Sequence, residues 1–184
     1  MMNFTLSDDQ KRMLLALARA TIAAKLGTAR DTVEYDDPLF LKHLGAFVTL
    51  HKSGNLRGCI GTITGVRPLK DTIIQMALSA AFSDPRFAPL RASEYPQIDI
   101  EISVLSPIEP ATIDDIVVGV HGLIITKDYN RGLLLPQVAT ENGWTKEEFL
   151  SHTCIKAGLP PQTWRERGYT LEKFSAIVFG EKEN

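Results

Sequence analysis

Within residues 97–108, QIDIEISVLSPI, positions 98–104 alternate: Ile98, Ile100, Ile102 and Val104 fall on one side, Asp99, Glu101 and Ser103 on the other. Successive side chains of a β-strand point to opposite faces, so this pattern predicts a strand with one apolar and one polar face. A sheet solvated on one face is the habit of antiparallel arrangements.

Other segments supply partners for such a strand. AFVTLHKSGNLRGCIGTI reads as a hairpin, with residues 46–50 going up, Ser53-Gly54-Asn55 turning and residues 56–63 coming down. GVHGLIITKDYNRGLLLP predicts a second hairpin turning at residues 128–132, and FSAIVFGE predicts a closing strand. Helical spacing appears in residues 7–27, where Leu15, Ala18, Ile22 and Leu26 share a face widened by Leu14 and Leu17. Ser7 with Gln10 makes a capping box there, and Gly27 is the stop. Pro68 opens a second helix carrying Leu69, Ile73, Met76, Ala77 and Ala80, which Asp84-Pro85 ends. A third runs from the Thr145–Glu148 box to Gly158, with Cys154 on its core side, and Trp144 and Trp164 are read as packing residues. Strands and helices do not alternate one for one. The expected class is α+β, mainly antiparallel sheet with flanking helices, and the proline-rich PIEP stretch suggests a boundary between two lobes near 107–118.

With 44% hydrophobic residues among 184, the chain can bury a sizeable core as one domain or two small lobes. A net charge of −2 gives no support to non-specific nucleic-acid or anionic-membrane binding, although Arg57, Arg67, Lys70, Arg86 and Arg91 fall in one third of the chain. The first residues lack the order of a secretion signal, and no apolar run approaches the ~18 residues of a bilayer span. Two cysteines make no disulfide framework and fit a reducing cytoplasm.

The chemistry-bearing candidates centre on GNLRGCIGTITG. Regular alternation puts Arg57, Cys59 and Gly61 on one face, with the guanidinium roughly 6–7 Å along the strand from the sulfur. A cation there favours a thiolate, and Gly61 would leave room beside it. The same pattern fits a small buried hydrophobe in a tight sheet. His121, bracketed by glycines, is the candidate base, with Glu101 or Asp99 as orienter. If the polar face is covered, Arg57 is the cation expected beside Glu101. Arg57, Gly58, Gly61 and Arg86 of SDPRF form the alternative, a groove where glycine lets a partner backbone approach. No metal motif, nucleophile elbow, phosphate loop or iron–sulfur cysteine set is present.

LRGCIGT at 56–62 resembles the signature of the AMMECR-type domain family. SDPRFAPL with Glu94, IEISVLSP, VGVHGLII, LLLPQVATENGW and FLSHTCIKAGLP resemble its later blocks in order, so the likeness spans about residues 10–180 of a single domain over 1–184. The TCIKAGLPPQTW ending resembles the prokaryotic branch, called AmmeMemoRadiSam system protein A. The resemblance implies an α+β fold of two unequal lobes and names neither reaction nor cofactor. It also implies association with a Memo-like protein and a radical SAM protein in a modification system. In that setting the chain is expected to bind or present a substrate or partner at the Arg57–Gly61 groove. The alternative is a cysteine-dependent hydrolase or group-transfer enzyme using Cys59.

Overall fold

The computed structural model describes residues 4–28 and 37–182. The chain divides into two units, residues 1–105 with 177–184 and residues 106–176. The fold class is α+β with antiparallel strands.

In the first unit, α1 (Asp8–Leu26) carries the Ser7–Gln10 capping box and ends on Gly27 in the left-handed region. Leu14, Leu17, Ala18, Ile22 and Ala23 are its buried residues, so the inward face is centred on Leu14–Ala18–Ile22, with Leu15 and Leu26 at its margins. Strands β1 (Ala46–Lys52) and β2 (Asn55–Thr62) form the first hairpin. Ser53 and Gly54 both have positive φ, 53° and 78°, the pair that a two-residue type I′ turn demands. Helix α2 (Leu69–Phe82) follows Pro68, and β3 (Ile98–Leu105) pairs antiparallel with β1. The strand order β2-β1-β3 leaves β2 outermost. Ala46, Val48 and Leu50 join Ile98, Ile100, Ile102 and Val104 under the two helices, with α2 against β1 and β2 and α1 against β3. Burying a side chain of this size contributes about 1.5–3 kcal/mol, so the alternation seen in the sequence is also the unit's main stabiliser.

In the second unit, β4 (Glu109–Pro110) pairs with β7 (Thr170–Gly180), whose last residues, from Ile177, belong to the first unit. β5 (His121–Lys127) lies between β7 and β6 (Asn130–Leu134). The β5–β6 turn is tighter than the sequence suggests. It is made by Asp128, at φ 55°, and Tyr129, while Gly132 sits inside β6 opposite Ile125. The physical reason is packing: a Cβ on Gly132 would lie 2.3 Å from the backbone nitrogen of Ala157. Helices α3 (Pro136–Glu141) and α4 (Lys146–Lys156) complete the unit, α4 with its predicted Thr145–Glu148 box. Cys154 is fully buried, Trp164 is buried with its Nε1 donating to Ser151, and the Trp144 ring stacks on His152 at 3.9 Å. The unit's entry and exit clasp each other: the Ser106 N–H donates to the Ser175 carbonyl at 2.9 Å, and the Ser175 N–H donates to Ser106 Oγ at 2.9 Å.

Candidate functional site

An outermost strand exposes a row of unpaired N–H and C=O groups. At Cys59 this edge of β2 is occupied by side chains. The Cys59 N–H donates to Asp84 Oδ2 at 2.9 Å, and Arg86 Nη2 donates to the Cys59 carbonyl at 3.1 Å. Asp84 also receives the Arg86 backbone N–H at 3.1 Å, Nε at 3.0 Å and Nη2 at 2.8 Å. Local sequence builds this clamp. Asp84 precedes Pro85, which disfavours further helix, and the Phe87 N–H closes the turn onto the Asp84 carbonyl at 3.1 Å. The Asp84 side chain is 1% exposed. Arg86 above all, then the N–H groups of Cys59 and Arg86, hold its carboxyl well below the usual range against the opposing effect of burial.

Arg57 departs from the expected alternation. The register shifts between Leu50 and His51, which face Gly58 and Leu56, so Arg57 is the extra residue of a β-bulge. Its Nε and Nη2 donate to Glu94 at 3.2 and 3.1 Å, and Nη2 also donates to the Ala88 carbonyl at 2.9 Å. The carboxylate facing Arg57 is therefore Glu94 and not Glu101. Glu94 takes Lys52 Nζ at 3.0 Å and the Arg91 N–H at 3.2 Å as well. Arg57, then Lys52, bring its carboxyl down to about 2. Arg57 Nη1 is buried without a partner, an arrangement that costs about 1–3 kcal/mol. These groups border an open hollow of about 450 Å³ walled by Lys52, Arg57, Phe87, Pro89, Arg91 and Glu94.

Cys59 is partly buried, and its Sγ accepts from Thr49 Oγ1 at 3.2 Å. Space beside the sulfur is filled. A Cβ on Gly61 would lie 2.2 Å from the Phe47 ring, so Gly61 exists to let that aromatic cross the strand and leaves no pocket. Gly58 has the same logic on the other face, where a Cβ would lie 2.2 Å from the Ala80 carbonyl of α2. Glu101 lies opposite Thr49, which lies opposite Cys59. Two strand spacings, roughly 10 Å, separate Glu101 from the cysteine, too far for a direct proton transfer. Glu101 instead borders a hollow with Arg19, Val178 and Glu181. His121 belongs to the second unit. Its Nδ1 accepts the Val117 N–H at 3.0 Å, and burial, then Lys173, push its pKa down.

Arg57, Gly58, Cys59 and Arg86 thus meet around one strand edge. Lys52, Thr49, Asp84 and Glu94 complete the constellation. In the sequence Asp84 shows itself only as a helix stop and Glu94 only within a block of resemblance; Thr49 carries no signal beyond lying on a strand, and Lys52, between that strand and its turn, carries none. Among the described residues, no group of three or more His, Cys, Asp or Glu side chains could hold a metal ion, and no helix is long and apolar enough to cross a membrane.

A protein of Methanothermobacter thermautotrophicus is 46% identical over 185 residues, covering 96% of each chain. Protein MK0488 of Methanopyrus kandleri is 41% identical, covering 95% of this chain and 90% of its own. The crystal structure of the uncharacterized protein PH0010 from Pyrococcus horikoshii superposes with a TM-score of 0.79 at 39% identity, covering 97% of this chain and 95% of that one. The AMMECR1 family profile matches residues 15–179, and the chain, signature edge and fold together, belongs to the AMMECR1 family.

Proposed function

We propose that this chain is the binding component of a cytoplasmic modification system that includes a Memo-like protein and a radical SAM protein, and that its contact face within the Arg57–Gly61 segment is the hollow at Arg57, the edge farther along being closed by Asp84 and Arg86. One observation carries the reading: Glu94 fixes Arg57 and Lys52 at the hollow in a preset geometry, so little order remains to be imposed on binding. Around Cys59, by contrast, Asp84 and the Arg86 guanidinium are engaged with each other and with the strand backbone. The test is a pulldown with the two partner proteins. Arg57→Ala should abolish capture, while Cys59→Ser should leave it intact. Loss of capture in both variants alike would refute the assignment.

A second reading, Cys59 as nucleophile of a hydrolase or group-transfer enzyme, has two observations in its favour: the partly exposed sulfur receives a hydroxyl hydrogen bond, and the Arg86 guanidinium interacts with the same side chain. It requires Cys59 to be alkylated near neutral pH much faster than the buried Cys154. Equal inertness of the two thiols would end it.

A further inference from the structure

We infer that the hollow beside β2 binds the phosphate of a small phosphate monoester. This deepens, and rests on, the reading of that hollow as the contact face. Three cations border it, Lys52, Arg57 and Arg91, against one carboxylate, Glu94. Glu94 is already engaged by Arg57, Lys52 and the Arg91 backbone, which leaves two formal positive charges uncompensated. Among the described residues the Arg91 guanidinium has no ion-pair partner, and the Ser93 hydroxyl beside it is likewise unbonded. Both line the hollow. A phosphate monoester brings about −1.5 to −2 charge at pH 7 and three acceptor oxygens, which suits a doubly positive recess better than the single charge of a carboxylate or phosphodiester. Arg57, held in place by Glu94 and the Ala88 carbonyl, contributes positive charge at the rim of the hollow. Phe87 and Pro89 form an apolar wall for the organic part of the ester, and about 450 Å³ is small-molecule size.

The experiment uses the full chain, ¹⁵N-labelled, titrated with inorganic phosphate, phenyl phosphate, phenyl sulfate, benzoate and a short single-stranded RNA. Phenyl phosphate and inorganic phosphate should shift the amides of residues 52–57 and 87–94 and the Arg57 side-chain N–H signals. Phenyl phosphate should bind at least tenfold tighter than phenyl sulfate or benzoate. Arg91→Ala should weaken phosphate binding at least fivefold while leaving the spectrum folded, and Arg165→Ala, in the second unit, should change nothing. Equal affinity for the monoanions, RNA binding tighter than phenyl phosphate, or shifts elsewhere would overturn the inference. If no phosphate binds but partner capture still depends on Arg57, the ligand class fails and the contact face stands. If phosphate binds at these residues while capture is indifferent to Arg57, the ligand site stands and the partner assignment fails.

Discussion

Asp84→Ala should destabilise the protein by about 3 kcal/mol. Asp84 accepts the Cys59 N–H, and hydrogen bonds to a charged acceptor are worth about 1.5–3 kcal/mol; the strand edge lets water reach the freed N–H, which favours the low end. The Arg86 backbone N–H adds about 0.5–1.5 kcal/mol. Arg86 is 54% exposed, so its ion pair adds only about 0.2–1 kcal/mol. Asp84→Asn keeps an acceptor and should lose roughly half as much, on the same scale of bond strengths. Both tryptophans lie in the second unit, so their fluorescence follows that unit. The first unit is better followed by urea unfolding in far-UV circular dichroism, where the midpoint should fall by roughly 1–2 M with the slope unchanged. Amide exchange at Cys59 is the local reporter and should speed up in both variants. An Asp84→Ala protein within 1 kcal/mol of wild type, by the usual criterion that surface changes stay near ±0.5, or with Cys59 exchange unchanged, refutes the clamp.

Gly58→Ala drives a methyl into the Ala80 carbonyl, 2.2 Å away on a helix backbone that cannot rotate aside, and should cost about 2 kcal/mol or more, lowering the melting temperature by about 4–8 °C. Acid should weaken the first unit. Glu94, held down to about 2 in the fold by Arg57 and Lys52, contributes stability above its unfolded value of ~4.3–4.5 that is lost as pH falls from there towards 2. At 19% exposure, solvent screening leaves this contribution at about 1–2 kcal/mol, and Glu94→Gln should flatten the pH profile of urea stability in that window. Asp84 titrates lower still, so its contribution goes last. Thr145→Ala removes the α4 capping box, where the Glu148 N–H donates to Thr145 Oγ1 and the Thr145 N–H to the Glu148 carboxylate; a loss of about 1 kcal/mol should appear in the tryptophan-detected transition.

Alternation made β3 legible, and capping boxes with terminal glycines made α1 and α4 legible, because those signals are local and repeat the physics that stabilises each element. The bulge at Arg57 has no such signature. NLRGCIG reads as well with regular pairing as with an extra residue, and what selects the bulge is pairing across the hairpin and packing of Gly58 beneath α2. For the same reason sequence reasoning pairs Arg57 with Glu101, which lies two strands away, when its partner is Glu94, 37 positions on in a turn that only the finished fold brings back. Gly61 reads as empty space because sequence shows the missing side chain and not Phe47, which fills it. Asp84 illustrates the limit from another side. A residue before proline announces the end of a helix, but nothing local says that its carboxylate will close a strand edge.

Ser106 and Ser175 bond each other where the chain enters and leaves the second unit. Topologically, residues 106–176 are a cassette set into the loop between β3 and the terminal residues that complete the first unit. Because the entry and exit are already hydrogen-bonded to each other at 2.9 Å, a short turn can bridge them. Closing a loop costs only about 0.6 kcal/mol more per doubling of its length, so a natural excursion of this size was cheap to acquire and a graft of different size should be cheap to install. The clasp therefore marks a point where a different cassette can be exchanged in, with a retained amide spectrum for residues 46–62 as the sign that the first unit still closes.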